Sequence, residues 1–177
     1  MRAQIVPNPG VVPTDGRAET TSLPDASIDI VTAFQAYHWF KPNAVFTEVA
    51  RIARPRARFA AVWNHRDRDD AMTAAYEAVI DAYDQTEGKL DRERRAGSVA
   101  DDLRFHGWSN VRIVEARHSQ PLGREGIVGF IRSVSYVPHK GEEYEAMVRA
   151  LLAIYDRTAR ERDVAFTWLT QAYIAER

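Results

Sequence analysis

The sequence predicts an α/β fold in which the strands of one sheet alternate with flanking helices. The first observation is the apolar, β-branched group Ile28, Ile30 and Val31, which follows the turn residues of segment 24–27. Such a run is typical of a strand that is covered on both faces, as in a parallel sheet. The second observation is that helical and strand periodicities alternate through the carboxyl-terminal half, which favours α/β architecture.

Length and composition bound the class of protein. A chain of 177 residues predicts one domain, residues 1–177, with a core of its own. The net charge of −1 gives no electrostatic reason to expect nucleic acid, and no apolar run approaches the ~20 residues that span a bilayer. We therefore expect neither nucleic-acid nor membrane partners. The absence of cysteine excludes disulfides and a thiol nucleophile, and the expected location is cytoplasmic.

The amino-terminal half predicts strands on either side of one helix. Pro13 removes a backbone donor, so a strand around it would lie at a sheet edge. Pro42 suits the first turn of a helix, and Val45, Val49 and Ile52 form its apolar stripe. The predicted segments are an irregular start at 1–10, a short strand at 11–14, a strand at 28–35, a helix from 42 or 43 to 54, and a strand at 58–64.

The carboxyl-terminal half predicts four helices and two strands. Ser98 with Asp101 resembles a capping arrangement, and the adjacent pair Asp101 and Asp102 is interpreted as capping and solubilising charge. The predicted segments are a helix from 69 or 70 to 86, a charged linker at 89–96, a short helix from 98 to 106, a strand at 110–117, helices at 124–135 and 142–160, and a strand from 164 to 174.

Three consecutive segments carry a resemblance to a known family. They are Gly16–Glu19, Leu23–Asp29 and Gln35–Phe40, and the similarity continues through 53–55 and 58–64. In order and spacing they resemble the class I S-adenosylmethionine (SAM)-dependent methyltransferases, with the type 11 small-molecule group as the closest match. The resemblance implies a Rossmann-like sheet with the strand order three, two, one, four, five, seven, six.

The family's glycine-rich loop has no counterpart in this sequence, which contains no G-x-G-x-x-G motif. In the family that loop approaches the cofactor, and an acid after the second strand holds the ribose, as in dinucleotide sites. The predicted fold is therefore a partial, N-terminally truncated Rossmann-like methyltransferase sheet with flanking helices. We expect weak or absent SAM binding by this chain alone.

The resemblance also implies candidate cofactor contacts. The family's loop after its third strand holds the adenine, which points to Arg17 and Ala18. The motif at the end of its fourth strand lies beside the sulfonium, which points to Gln35 and Ala36. Arg17 stands where an acidic or small polar residue is commoner in the family, and a solvated turn is the alternative interpretation of this segment.

The same motif implies the acceptor side of the site. Tyr37 and Trp39 are candidate substrate contacts, as are Asn64 and His65 after the following strand. His38 is the candidate general base, because its ordinary pKa lies near neutrality. The alternative is that this aromatic cluster only packs the strand–helix joint. The histidines show no metal-ligand spacing, so no metal is expected.

Two sets of alternatives remain open at the level of sequence. The chain is a methyltransferase acting on a small molecule, or a binding or assembly protein that kept the fold and lost the cofactor site, or a fragment of a longer gene product. Without the first strands, the edge of the strand at 28–35 would be bare and apolar, which invites association. Either segment 11–14 pairs with that edge or two chains form a homodimer through it.

Overall fold

The computed structural model describes residues 6, 8–84, 98–159 and 163–177, and these form a four-stranded sheet with five α-helices. The expected alternation of helices and strands is confirmed. The strands are β1 (Ile28–Phe34), β2 (Ala53–Arg66), β3 (Ser109–Leu122) and β4 (Val164–Glu176). The helices are α1 (Pro42–Ile52), α2 (Ala71–Ala82), α3 (Val99–Phe105), α4 (Arg124–Ser133) and α5 (Gly141–Thr158), with a 3-10 turn at Tyr37–Trp39.

The sheet has the order β1-β2-β4-β3. β1 and β2 are parallel, with Ala33 opposite Ala61, whereas β4 runs antiparallel to both β2 and β3. This order is the four, five, seven, six half of the sheet that the sequence resemblance implies. The α/β fold class is therefore confirmed, and the carboxyl ends of β1 and β2 lie side by side, where an α/β sheet binds ligands.

The passage from α1 into β2 is made without glycine. β2 begins at Ala53, directly after the helix, and Arg56 adopts a left-handed conformation with a φ of 68°. The pairing with β1 shifts there, because Ile28 lies opposite Ala53 but Ile30 lies opposite Arg58. An L-residue in this conformation is strained, so the turn is made at a cost in free energy.

The first core lies between one face of the sheet and the helices α1 and α3. Phe46 from α1 packs on Phe59 of β2, with 5.3 Å between the ring centroids, and Phe59 packs on Trp108 at 5.8 Å. Trp63 meets Tyr173 of β4 edge-on. Alternate residues of β1, β2 and β4 reach this core, as expected when successive side chains point to opposite faces.

The second core lies where β3 and β4 extend beyond the rest of the sheet. Helices α2, α4 and α5 cover these strand ends. Phe166 of β4 is fully buried and meets Tyr76 of α2 edge-on, with 5.1 Å between the centroids, and stacks on Phe130 of α4. The two cores together fix the ends of β2 and β4 between two helical layers.

The sheet has two edge strands, β1 and β3, and β1 pairs only with β2 among the described residues. Ile30 and Phe34 are exposed on it, Phe34 by 66%. The expected strand at 11–14 is wrong, because this segment is exposed, forms no strand and begins in a turn closed by Val11 N–H to Asn8 C=O. Pro13 cannot donate to a ladder, which disfavours pairing there. The predicted linker at 89–96 lies outside the described residues.

The described helices do not include one with the length and apolar content required to cross a bilayer.

Candidate functional site

The end of β1 is tied to the end of β2 through Gln35. Its N–H donates to Val62 C=O at 2.9 Å, and its side-chain Nε2 donates to Asn64 C=O at 3.1 Å. Gln35 has a φ of 49°, in the left-handed region that non-glycine residues seldom occupy. The chain therefore turns sharply off the sheet at this residue and directs the following segment over the first core.

Tyr37 is the anchor of that segment. Its side chain is only 2% exposed, and its ring contacts Phe40, Phe46 and Trp63 at centroid distances of 5.6, 6.2 and 6.0 Å. Its hydroxyl donates to Asp102 Oδ2 at 2.7 Å. Burial, supported by this bond to a carboxylate, raises the pKa of Tyr37 well above the usual tyrosine value, so the hydroxyl stays protonated.

Asp102 is a site residue that the sequence interpretation missed. Besides the Tyr37 hydroxyl it accepts a bond from Ser98 Oγ at 3.1 Å, so Ser98 reaches Asp102 and forms no side-chain cap. The predicted capping by Ser98 and Asp101 is therefore wrong. Asp102 is three residues beyond Val99 and therefore lies on the side of the helix that meets the first core. This spacing is the sequence signal that distinguishes Asp102 from its exposed neighbour Asp101.

An open cleft of about 660 Å³ lies beside this hydrogen-bonded group. Trp39 is 73% exposed and forms part of its wall. His38 is half-buried, with its ring 5.0 Å from that of Trp39. The described residues that line the cleft are Tyr37, Trp39, Phe40, Lys41, Pro42, Asn43, Ser98 and Asp102. Two of the predicted site residues, Tyr37 and Trp39, thus line one concave region, and His38 contacts Trp39 beside it.

Asn64 and His65 lie inside β2, which extends to Arg66, and the predicted end of this strand at residue 64 is therefore wrong. Pairing with β4 keeps the strand regular, with His65 opposite Leu169. The Asn64 side chain accepts a bond from Thr170 Oγ1 at 2.6 Å, while its carbonyl meets Gln35. The structure therefore connects Asn64 to the β1 motif through its backbone and not through its amide side chain.

His65 belongs to a second, charged cleft. There Arg66 pairs with Glu77 of α2, and Arg117 of β3 pairs with Asp67 at 2.9 Å. Glu77 and Asp67 are almost fully buried, so these pairs fix α2 and β3 to the end of β2. Positive and negative charges balance in this cleft, and it is a structural ion-pair cluster separate from the aromatic cleft.

Arg17 and Ala18 lie in a tight turn before β1. Arg17 and Thr20 exchange backbone hydrogen bonds of 3.3 and 3.0 Å, and Ala18 packs against the first core, on which Tyr37 also lies. Glu48 of α1 fixes Thr21, the residue after this turn, because its carboxylate accepts the Thr21 N–H at 2.7 Å. Arg51 and Thr21 stabilise the Glu48 carboxylate and lower its pKa to about 2.

The residues that the family resemblance assigns to the cofactor lie in two turns of the structure. The strained turn at Gln35 follows the carboxyl end of β1, and Ala18, next to Arg17, packs against the first core. β1 is an edge strand, and among the described residues it pairs only with β2. The described residues also contain no cluster of three metal-ligating side chains.

The sequence matches the family model for a methyltransferase domain over residues 2–61. It is also similar to an uncharacterized methyltransferase of Mycobacterium tuberculosis, with 46% identity over 59 residues that make up 33% of this chain and 24% of that protein. An uncharacterized methyltransferase of Schizosaccharomyces pombe is 22% identical over 163 residues, which cover 92% of this chain and 64% of that protein. The chain thus spans about a quarter of the mycobacterial relative.

Solved structures extend the likeness over nearly the whole chain. A provisionally assigned type II methyltransferase from Anaeromyxobacter dehalogenans has a TM-score of 0.62 and 26% identity over 98% of this chain and 75% of its own. A provisionally assigned methyltransferase of an antibiotic biosynthesis pathway in Anabaena variabilis shares the fold, with a TM-score of 0.60 and 18% identity over 97% of this chain and 76% of its own. The chain thus matches a methyltransferase-domain model over residues 2–61 and shares its fold with these two methyltransferase structures over nearly its whole length.

Proposed function

We propose that the chain is the acceptor-side part of a SAM-dependent methyltransferase that acts on a small molecule. The observation that carries this proposal is the group at the carboxyl end of β1. There a strained glutamine, a buried tyrosine, a half-buried histidine and an exposed tryptophan follow one another beside an open cleft. Ligands of α/β sheets bind at this end of the strands.

Each side chain has a role in this proposal. Gln35 and Ala36, with Arg17 and Ala18 on the neighbouring turn, would contact the cofactor. Trp39 would contact the acceptor with its exposed ring. Tyr37 lines the cleft and holds the segment in place by its buried ring and its bond to Asp102. Tyr37 is therefore a positioning residue first.

The remaining candidates have smaller roles. When bound, SAM would supply an electrophilic methyl group on sulfur. His38 would accept the proton that the acceptor atom loses, because a neutral imidazole is a suitable base near neutrality. Asn64 would act through its carbonyl, which fixes Gln35, and His65 would lie behind the site in the charged cleft.

Cofactor binding by the chain alone is proposed to be weak. Contacts from a glycine-rich loop and a ribose-binding acid have no counterpart in the 177 residues. A hydrogen bond to a charged group contributes about 1.5–3 kcal/mol, and each ~1.4 kcal/mol changes affinity about tenfold. The loss of two or three such bonds would reduce a micromolar site to a millimolar one.

The location of the site is tested by chemical shifts in ¹⁵N-labelled protein titrated with S-adenosylhomocysteine at millimolar concentration. We expect amide shifts in segments 17–18 and 35–39, and none in segment 141–158, which lies on the second core. Shifts centred on the charged cleft, or on α5, would place the nucleoside elsewhere and overturn the assignment. Replacement Gln35→Ala should reduce the shifts, since it removes the bond that fixes the strand end.

A second candidate function is a binding or assembly protein without catalytic activity. The observation that favours it is that β1 pairs on one side only within the described residues and carries the exposed apolar side chains of Ile30 and Phe34. A second copy of the chain, paired through this edge, would form a homodimer with a continuous sheet. This function is favoured over catalysis if the chain dimerises and S-adenosylhomocysteine causes no shifts at 35–39.

A further inference from the structure

The carboxylate of Asp102 receives only neutral donors within the described part of the chain. Tyr37 and Ser98 donate through hydroxyl groups at 2.7 and 3.1 Å, whereas the ion pairs of α3 involve its exposed neighbour Asp101 and Arg104. Hydroxyl donors orient a carboxylate but leave its negative charge in place. Asp102 is half-buried, so water solvates this charge incompletely.

The same cleft presents an exposed aromatic ring. Trp39 is 73% exposed although its neighbour Tyr37 is buried, so the 3-10 turn directs one ring into the core and one toward solvent. Phe40 also lines the cleft. The faces of such rings carry negative charge density and attract cations, and indole does so most strongly.

We propose that this cleft binds an organic cation, a protonated or quaternary amine head group. The ammonium group would lie between the Asp102 carboxylate and the indole of Trp39, and its alkyl groups would contact Phe40. A neutral alcohol of the same shape would make neither the charge contact nor the cation–π contact. Binding of the cation does not depend on the proposed function. Only the identification of an amine as the methyl acceptor rests on it.

Lys41 also lines the cleft and opposes a cation there. Its side chain is exposed, where water and salt screen its charge. Asp102, in contrast, is half-buried and fixed by two hydrogen bonds, so its attraction is stronger at short range. The net preference is therefore for a cation, and removal of the Lys41 charge should strengthen it.

The test compares choline with 3,3-dimethylbutan-1-ol, in which a carbon atom replaces the charged nitrogen. Amide and indole signals of the full chain are followed by NMR during each titration. We expect choline to bind with a millimolar dissociation constant and the neutral alcohol to bind at least about tenfold more weakly, because it forms no cation–π or charge contact. Equal affinities for the two probes would overturn the proposal.

Three variants locate the effect. Asp102→Asn keeps an oxygen that can accept the Tyr37 hydroxyl bond, and Trp39→Leu removes the exposed ring; each should weaken choline binding by about fivefold or more. Asp101→Asn is the matched control, since it removes the same charge one residue away, and choline binding should not change. Lys41→Gln should strengthen binding. Unchanged affinity in both Asp102→Asn and Trp39→Leu would contradict the proposal even if choline binds.

The outcome is separate from that of the proposed function. Choline has no lone pair on nitrogen, so its binding measures recognition of the cation without methyl transfer. If choline binds but S-adenosylhomocysteine causes no shifts at 35–39, the cation site stands and the methyltransferase assignment fails. If the nucleoside binds there and choline does not, the methyltransferase assignment stands and the cation site fails.

Discussion

At the scale of single residues, two buried tyrosines with opposite surroundings make the clearest contrast. The Tyr37 hydroxyl donates to a carboxylate, whereas the Tyr76 hydroxyl is buried without a hydrogen-bond partner among the described residues. Tyr37→Phe should reduce the free energy of unfolding by about 1.5–3 kcal/mol, the value of a bond to a charged group. Tyr76→Phe should be neutral or stabilising, because it removes an unpaired polar atom. Urea unfolding of both variants measures the difference, and equal losses would contradict this account.

The same two residues predict a decrease in stability at alkaline pH. Burial raises the pKa of Tyr76 from the ordinary value of 10.0 to about 12, and it also raises the pKa of Tyr37. The folded state therefore holds protons that the unfolded state loses above pH 10.0. Stability contributed by the protonated hydroxyls is complete below that pH and is lost progressively above it. Tyr76→Phe should flatten the decline between pH 10.0 and about 12, and an unchanged slope in pH-dependent unfolding would contradict the prediction.

Arg56 is one of four described non-glycine residues with a left-handed backbone conformation. Its φ of 68° is one that glycine adopts without strain, and its side chain is exposed. Arg56→Gly should relieve the strain of the folded state, but glycine also increases the conformational entropy of the unfolded chain. The net expected increase in the free energy of unfolding is about 0.5–1 kcal/mol. Arg56→Ala is the control, since it removes the side chain but keeps the strain. Equal stability of the two variants would show that this turn is not strained.

At the scale of elements, Glu48 connects the segment before β1 to α1. Its carboxylate accepts the Thr21 N–H and two nitrogens of Arg51, which lower its pKa from 4.5 to about 2. Because the folded pKa is the lower one, this stability is present above pH 4.5 and is lost as pH falls toward 2. Glu48→Gln should reduce the acid dependence in that window and speed amide exchange at Thr21. If the free energy of unfolding of Glu48→Gln depends on acid pH as that of the original chain does, the bonds of Glu48 to Thr21 and Arg51 contribute nothing to stability.

The elements were predictable from the sequence where periodicity and turn chemistry agree. α1, α4 and α5 carry clear apolar stripes, and their predicted bounds hold to within two residues. Segment 11–14 was misassigned because its apolar pair satisfies a strand pattern locally while Pro13 prevents pairing. β2 was predicted too short because its polar end is held by cross-strand pairing with β4, which no local pattern reveals.

From the sequence, the candidate site could be predicted only where its residues are consecutive. The motif at 35–39 was found because its residues are consecutive, and the structure places it at the expected end of β1. The bond from Tyr37 to Asp102 joins residues 65 positions apart, so sequence spacing could not indicate it. The separation of His65 from the aromatic cleft likewise depends on the extension of β2, a tertiary effect.

At the scale of the whole molecule, the outer edge of β1 is the feature that predicts association. Ile30 and Phe34 expose apolar surface along this edge, and an unpaired edge offers backbone groups to another strand. We predict a homodimer through β1, measured by light scattering after size-exclusion chromatography. Phe34→Lys should shift the chain toward monomer, while Val12→Lys, an equal change at an exposed position outside the sheet, should not. A monodisperse monomer with rapidly exchanging amides at 30–33 would contradict this prediction.

The central proposal is that the chain contributes the acceptor-side wall of a nucleoside site and lacks the family's glycine-rich loop. Calorimetric titration of the isolated chain with S-adenosylhomocysteine tests this most directly. The account predicts a dissociation constant near millimolar or weaker, because the contacts of one wall alone remain. A dissociation constant in the low micromolar range would contradict it.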